Sequence, residues 1–347
     1  MWGAALGLGL GFALFGAGAW VLNTTTGTGF VLNAIPALAL RLGQSVEIEH
    51  GGGALAQGVV LSRLSWTDGK TRVLARDVQL QVALGGLLNS HLDVERLHAA
   101  SVTVNLPPKD PNEPPFQMPD AIRLPVRIDL QSLQIGALVV DRLTFEQVKG
   151  SATAKAGGVT VHHLGLITEG ANLQLNGQMK LAQPYAVDAV LNASRVFDDL
   201  HLDGRLLVGG SLQALDLNLT ATGEDPRSLK ASQAMTASAV VKPFGAVLLE
   251  RIKLEAQGFN PHLWFDSAPR AVLDVEASLE PNPELTRSTG HLNVSNQNPL
   301  KWQDGGVPVR SVKSRFDLSL REQALFKARV DLDQLDFFVG SRPQGRV

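Results

Sequence analysis

The chain has 347 residues, 31 Lys and Arg against 33 Asp and Glu, with 44% hydrophobic and 18% charged residues. Nucleic-acid binding needs a basic excess gathered on one surface, and this near-neutral balance gathers none. Cysteine is absent, which excludes disulfides, thiolate metal sites and a cysteine nucleophile.

From Trp2 to Leu22 run 21 residues without charge or proline. As a helix they would span about 31 Å, matching the ~30 Å hydrocarbon core of a bilayer. Trp2 and Trp20 lie near its two ends, where amphipathic rings prefer the headgroup level. Gly3, Gly7 and Gly11 form a small-xxx-small stripe that suits close approach of a second transmembrane helix. The run therefore reads as a membrane anchor. A cleaved signal peptide is the rival, because Ala17-Gly18-Ala19 resembles a cleavage site. The run is longer than a signal's ~7 to 15 apolar residues, however, and no Lys or Arg precedes it. Either way the remainder is exported.

Thr24 to Gly29 reads as a polar joint. Phe30 to Leu42 places Phe30, Ile35, Leu38 and Leu42 at near-helical spacing around Pro36, which predicts a short interfacial helix. From Val46 the period changes to two. Val78, Leu80, Val82 and Leu84 alternate with Gln79, Gln81 and Ala83, the pattern of a half-buried strand. The alternation returns at Val102, Val104 and Leu106; at Ile128 and Leu130; at Leu173 and Leu175; and at Leu215, Leu217 and Leu219. It continues at Leu273 and Val275 and at Phe316 and Leu318. Turn signals punctuate it at Gly85-Gly86, Gly157-Gly158, Asn176-Gly177, Gly209-Gly210 and Asp304 to Gly306. No segment predicts a helix long enough to cover a sheet.

Pro107 to Pro119 holds six prolines in thirteen residues and cannot pair inside a sheet, so it reads as an extended surface loop. The predicted organisation is a transmembrane anchor over 1–23, a joint and short helix over 24–45, and a first strand group over 46–106. A proline-rich loop over 107–120 and a continuing strand array over 121–347 complete it.

No catalytic constellation is present, and no enzyme, cofactor or metal is expected. His162-His163 lacks a third ligand at metal spacing and reads as a surface pair. Gly69-Lys70-Thr71 lacks the earlier glycine of a phosphate loop, where Leu64 stands, and reads as a hairpin turn at Asp68-Gly69. Asp199 to Gly204 resembles a calcium loop, but Gly210 occupies the place of its bidentate glutamate.

A sheet with one apolar face must be covered, closed into a barrel or left for a ligand. A membrane barrel would need aromatic girdles, and only 5% of residues are aromatic. A packed sandwich or β-helix remains open to this composition. If some 16 strands each left two or three aliphatic side chains uncovered, the strip would be of order a couple of thousand Å², far above what a soluble monomer exposes.

Three stretches carry a family resemblance. Thr26-Gly27-Thr28-Gly29-Phe30-Val31-Leu32 follows the anchor, as the corresponding step does in the TamB family. Gly53 to Gly69, through Leu55, Gly58, Leu61, Leu64, Trp66 and Asp68, is similar to that family's early hairpin. Leu92 to Leu97, Val102 to Pro107 and, after the proline loop, Leu124 to Ile128 keep the family's order of elements. The resemblance covers residues 1 to about 145. It implies an AsmA-like, bridge-forming lipid transfer protein: mainly β, an elongated, curled, open β-groove of the β-taco kind, held by an N-terminal transmembrane helix in the inner membrane of a Gram-negative bacterium. It also implies a periplasmic body, phospholipids as cargo, and the outer-membrane barrel TamA as a partner met through a further C-terminal part of a longer protein.

Three functions fit. In a lipid conduit the alternating side chains Val78, Leu80, Val82, Leu84, Val102, Val104, Leu106, Ile128, Leu130, Leu173, Leu175, Leu215, Leu217, Leu219, Leu273, Val275, Phe316 and Leu318 line a trough for acyl chains, which need apolar area without directional hydrogen bonds. An outer-membrane protein assembly factor would instead use strand edges for β-addition. An anchored adhesin or β-helical enzyme would have a sealed interior.

Overall fold

The computed structural model describes residues 24–41, 43–54, 57–107, 119–124, 126–197, 200–224, 233–244, 249–265, 267–282, 284, 286–319 and 327–337. The proposed anchor, with Trp2, Gly3, Gly7, Gly11 and Trp20, lies outside them. Among the described residues no helix is long and apolar enough to cross a membrane. The chain divides into two units, residues 1–114 with 122–168 and residues 115–121 with 169–347.

The first unit opens with α1 (Thr25–Arg41). It begins five residues before the expected start at Phe30, so the predicted joint is its first turn. The reason is a cap: the Gly27 N–H donates to Thr24 Oγ1 at 3.0 Å, an acceptor for an otherwise orphaned first-turn donor, and the Thr28 N–H makes the first helical bond to Thr24 O at 2.9 Å. Pro36 sits inside the helix, where it removes one intrahelical donor.

Seven strands follow: β1 (Ser45–Ala54), β2 (Gly58–Thr67), β3 (Arg72–Ala83), β4 (His91–Asn105), β5 (Arg127–Val140), β6 (Leu143–Lys155) and β7 (Gly158–Thr168). Each pairs with the next, antiparallel except for β4 and β5, which run parallel. The β2–β3 turn is the hairpin expected at Asp68-Gly69. Asp68 Oδ1 accepts from the N–H groups of Thr71 at 2.7 Å and Lys70 at 2.9 Å, and Gly69 adopts φ 89°. Those two donors, Thr71 first, hold the Asp68 carboxyl below its ordinary range.

The core of this unit is where α1 meets the sheet. Leu32 packs with Val59, Leu61, Ala75 and Val78, all buried, and with the half-buried Ile48, Leu64, Leu97, Ala99 and Val102. Ala75 and Val78 are three residues apart, an odd spacing that would place them on opposite faces of a regular strand. Asp77, at φ 52°, breaks the alternation and returns Val78 to the face of Ala75, while the pairing with β2 keeps its register, so that Leu64 and Leu61 opposite them make the same three-residue step. One irregular backbone position thus preserves the apolar side without shifting the ladder.

The second unit comprises β8 (Ala171–Lys180), β9 (Val187–Phe197), β10 (Leu200–Ser211), β11 (Ala214–Glu224), β12 (Gln233–Val241), β13 (Leu249–Phe259), β14 (Leu273–Pro281), β15 (Arg287–Asn296), β16 (Val309–Ser319) and β17 (Lys327–Phe337). All neighbouring pairs are antiparallel. A four-residue helix, α2 (Pro261–Trp264), joins β13 to β14. Among the described residues every strand belongs to one sheet through its ladder neighbours, and no second sheet is present.

Two turn expectations need correction here. Gly209-Gly210 lies within β10, paired with Asp216 and Leu215 of β11. Asn176-Gly177, expected as a turn, lies inside β8. Gly177 faces Ala189 so closely that a Cβ on it would stand 2.5 Å from the Ala189 Cβ, so the glycine serves strand approach rather than a turn. The run Asp199 to Gly204, already without the glutamate of a calcium loop, is strand β10 from Leu200 onward, with Leu200, Leu202 and Gly204 on one face.

Candidate functional site

Antiparallel pairing carries a side chain's face from strand to strand, so register decides whether alternation adds up to a surface. In the second unit it does. One row of directly paired residues runs Leu175, Leu191, Leu206, Leu219, Ala237, Leu254, Ala277, Leu292, Ser314, Leu332, one from each of β8 to β17. The rows on either side, through Leu173, Val275 and Val312 and through Leu217, Ile252 and Phe316, are likewise apolar or glycine. The intervening row on the other face runs Gln174, Asn192, Arg205, Thr220, Thr236, Glu255, Glu276, Asn293, Lys313, Gln334. Across ten strands these rows make one face hydrocarbon but for the hydroxyl of Ser314, and the other polar.

The predicted lining residues Leu173, Leu175, Leu215, Leu217, Leu219, Leu273, Val275, Phe316 and Leu318 all stand on that apolar face, half-buried. In the first unit Val78, Leu80, Val82, Val102, Val104, Ile128 and Leu130 share one face: Leu80 pairs with Leu97 and Leu97 with Leu133, while Val82 pairs with Val94 and Val94 with Leu130. Val78 and Val82 are buried, and of the set only Val78 belongs to the buried cluster with Leu32 of α1. Leu84 opens a 3-10 turn, Leu84–Asn89, where Gly85-Gly86 ends the strand. Leu106 follows the last residue of β4 and is 51% exposed, since Pro107 has no N–H with which to prolong the ladder.

The apolar face of the second unit is bounded at one strand end by a strap around α2. Asn260 caps this helix, its Oδ1 accepting from the His262 N–H at 3.2 Å. Arg195 is 7% exposed and stands on the apolar side opposite Leu202. Its Nη1 donates to Trp264 O at 2.8 Å, and its guanidinium lies 5.4 Å from the Phe197 ring centre. A Cβ added to Gly204 would touch the Trp264 ring at 3.4 Å. Gly204 belongs to the apolar face, so the indole lies across it. Near the β8–β9 connection Tyr185, the chain's only tyrosine, is 2% exposed and donates from Oη to Pro119 O at 2.8 Å.

The polar face holds ladders of charge. His91 Nε2 lies 2.6 Å from Asp129 Oδ2 and 3.8 Å from Asp93 Oδ1, a grouping that His91-x-Asp93 on β4 and Arg127-x-Asp129 on β5 could have signalled had their pairing been legible. Arg127 Nε sits 2.9 Å from the same Asp129 Oδ2, which makes this an ion-pair cluster rather than a cradle for a cation. Burial works against the Asp129 charge, yet hydrogen bonds from Thr153, Arg127 and His91 hold its carboxyl below the ordinary range. His162 and His163 are both exposed, and His162 Nε2 bonds Thr153 Oγ1 at 2.9 Å.

Strand after strand in register in one open sheet, with one face aliphatic and no second sheet among the described residues, defines a mainly β class of open-sheet proteins. The family described as TamB, N-terminal domain, matches residues 14–143 and again residues 118–241. The chain belongs to the TamB family. No curated protein and no solved structure matches it.

Proposed function

We propose that this protein is a lipid conduit, carrying phospholipid acyl chains along its apolar face from the inner toward the outer membrane, and that it acts as a carrier rather than a catalyst. The observation that carries this reading is the continuous set of apolar rows from β8 to β17. Hydrocarbon chains gain free energy from any apolar area and demand no partner for a hydrogen bond, which suits a face of Leu, Val and Ala with hardly a donor on it. Residues 2–22 would hold the base in the inner membrane, with the strands in the periplasm. The TamB family is associated with the outer-membrane barrel TamA, which makes TamA the partner to which lipid would be delivered.

Photo-cross-linking from the apolar face tests the reading. With a photoreactive residue replacing Leu219, wild-type surroundings should yield phospholipid adducts in cells, whereas Leu217→Asp should cut the yield by about tenfold because an acid beside lipid must be desolvated. Leu217→Met should leave it intact, and Leu80→Arg should act like Leu217→Asp. Adducts undiminished by either charge would overturn the conduit. An assembly factor working by strand addition gives the opposite result: indifference to these charges and sensitivity to proline along β17.

A further inference from the structure

We infer that α1 is itself a bilayer contact, seated in the membrane leaflet by the face that holds Phe30, Ala34, Ala37 and Leu40. The inference deepens the conduit reading by placing the leaflet against the first strands, and it rests on that reading's anchor.

At 100° per residue, Thr28, Leu32 and Ala39 share one side of α1, and they are 0%, 8% and 8% exposed. This is the side on the sheet. Positions 30, 34, 37 and 41 fall on the opposite side by the same spacing, with Leu40 flanking it. Phe30 is 72% exposed, Leu40 is 69% exposed, and Ala34 and Ala37 are exposed as well. A helix on the surface of a globular protein would turn charged residues outward along its length; α1 turns out a phenyl ring, a leucine and two alanines beside the uncharged Thr26 and Asn33, and its one charge is Arg41 at the last position.

The sequence around it selects the occupant. Arg41 is the only charged residue between Met1 and Val46, so nothing acidic meets anionic headgroups and one cation at the helix end favours them. The uncharged run ending at Leu22 stops three residues before α1 begins. If that run spans the bilayer, two linking residues and an extended reach of about 3.5 Å each hold α1 at the interface. An apolar helix so tethered partitions into the headgroup and acyl boundary. In that position the inward side of α1 caps Val59, Leu61, Ala75 and Val78 while the outward side meets lipid.

The chain has no cysteine, so Phe30→Cys, Leu40→Cys and, as a control on the exposed polar side of β8, Asn172→Cys each supply a single thiol for an environment-sensitive fluorophore. The full chain is reconstituted into vesicles of phosphatidylcholine and phosphatidylglycerol, with and without doxyl-labelled lipids, and its strand content is checked by circular dichroism. Labels at positions 30 and 40 should shift to the blue and lose about half or more of their intensity to the doxyl lipid, while the label at 172 is unaffected. A chain that floats with the vesicles but carries an unquenched label at position 30 overturns this inference and leaves the anchor standing. A disulfide-linked dimer through position 30 in unlabelled vesicles would assign the face to a second copy and overturn it too. A chain that does not float at all overturns both the inference and the anchor.

Discussion

Single residues on the two faces answer to different physics. Asp129 is held in its charged form by Arg127, His91 and Thr153, and its folded carboxyl therefore ionises below the ordinary value of 3.8. A lowered folded value means its contribution to stability is present above that ordinary value and disappears as pH falls through the folded one. Urea unfolding should find Asp129→Asn weaker than wild type at pH 7, with the two proteins converging in acid below 3.8; equal midpoints at pH 7 would show the cluster to be ornamental. On the apolar face the sensitive position is Gly177. Because a Cβ there lands 2.5 Å from that of Ala189, Gly177→Ala should cost about 1–3 kcal/mol through overpacking, read as a lower urea midpoint with unchanged slope. Its neighbour Asn176 explains why the sequence misled: Asn-Gly is the commonest short hairpin signal, and nothing local distinguishes it from an Asn on the polar side of a strand followed by a glycine on the apolar side.

Among elements, legibility followed periodicity. Leu215, Leu217 and Leu219 with Asp216, Asn218 and Thr220 between them could be read as a half-buried strand without reference to any partner, and β11 is that strand. Breaks in the alternation were not legible, because neither Asp77 nor Gln147 advertises a positive φ of 52° or 50°; the odd spacing of Ala75 and Val78 was the available clue. The cap that starts α1 at Thr25 was legible in principle from Thr24, and so was α2, where Asn260 precedes Pro261 in the order of a helix N-cap and first turn. What no alternation foretells is a guanidinium on the hydrocarbon side. Arg195 is there because α2 offers it the Trp264 carbonyl and Phe197 offers it a ring. Replacing it by alanine should leave that carbonyl without a donor and cost about 2 kcal/mol, with proteolysis between residues 260 and 272 accelerating before the rest of the unit is cut. Cleavage there at wild-type rates would mean that the strap is held by Trp264 alone.

For the molecule as a whole, the sequence conveyed class and family but not pairing. That the chain is a run of strands follows from its period; that β4 and β5 are parallel, or that Leu175 and Leu332 end up in one row, depends on registers set between segments far apart. The functional expectation at this scale is that the full chain, extracted gently from membranes, retains glycerophospholipid in more than equimolar amount, as a surface of many equivalent rows would. Mass spectrometry of the bound lipid fraction decides it, and a chain recovered free of lipid from membranes that contain it would count against transport.

The one parallel step has a lasting effect on the first unit. In a pure meander every second turn falls on the same bank of the sheet. Because β4 ends on one bank and β5 begins on the other, the parity is inverted from β5 onward, so that the β5–β6 turn shares a bank with the β2–β3 turn rather than facing it. A single excursion of the chain thereby decides which shore the β5–β6 and β6–β7 hairpins of this unit decorate.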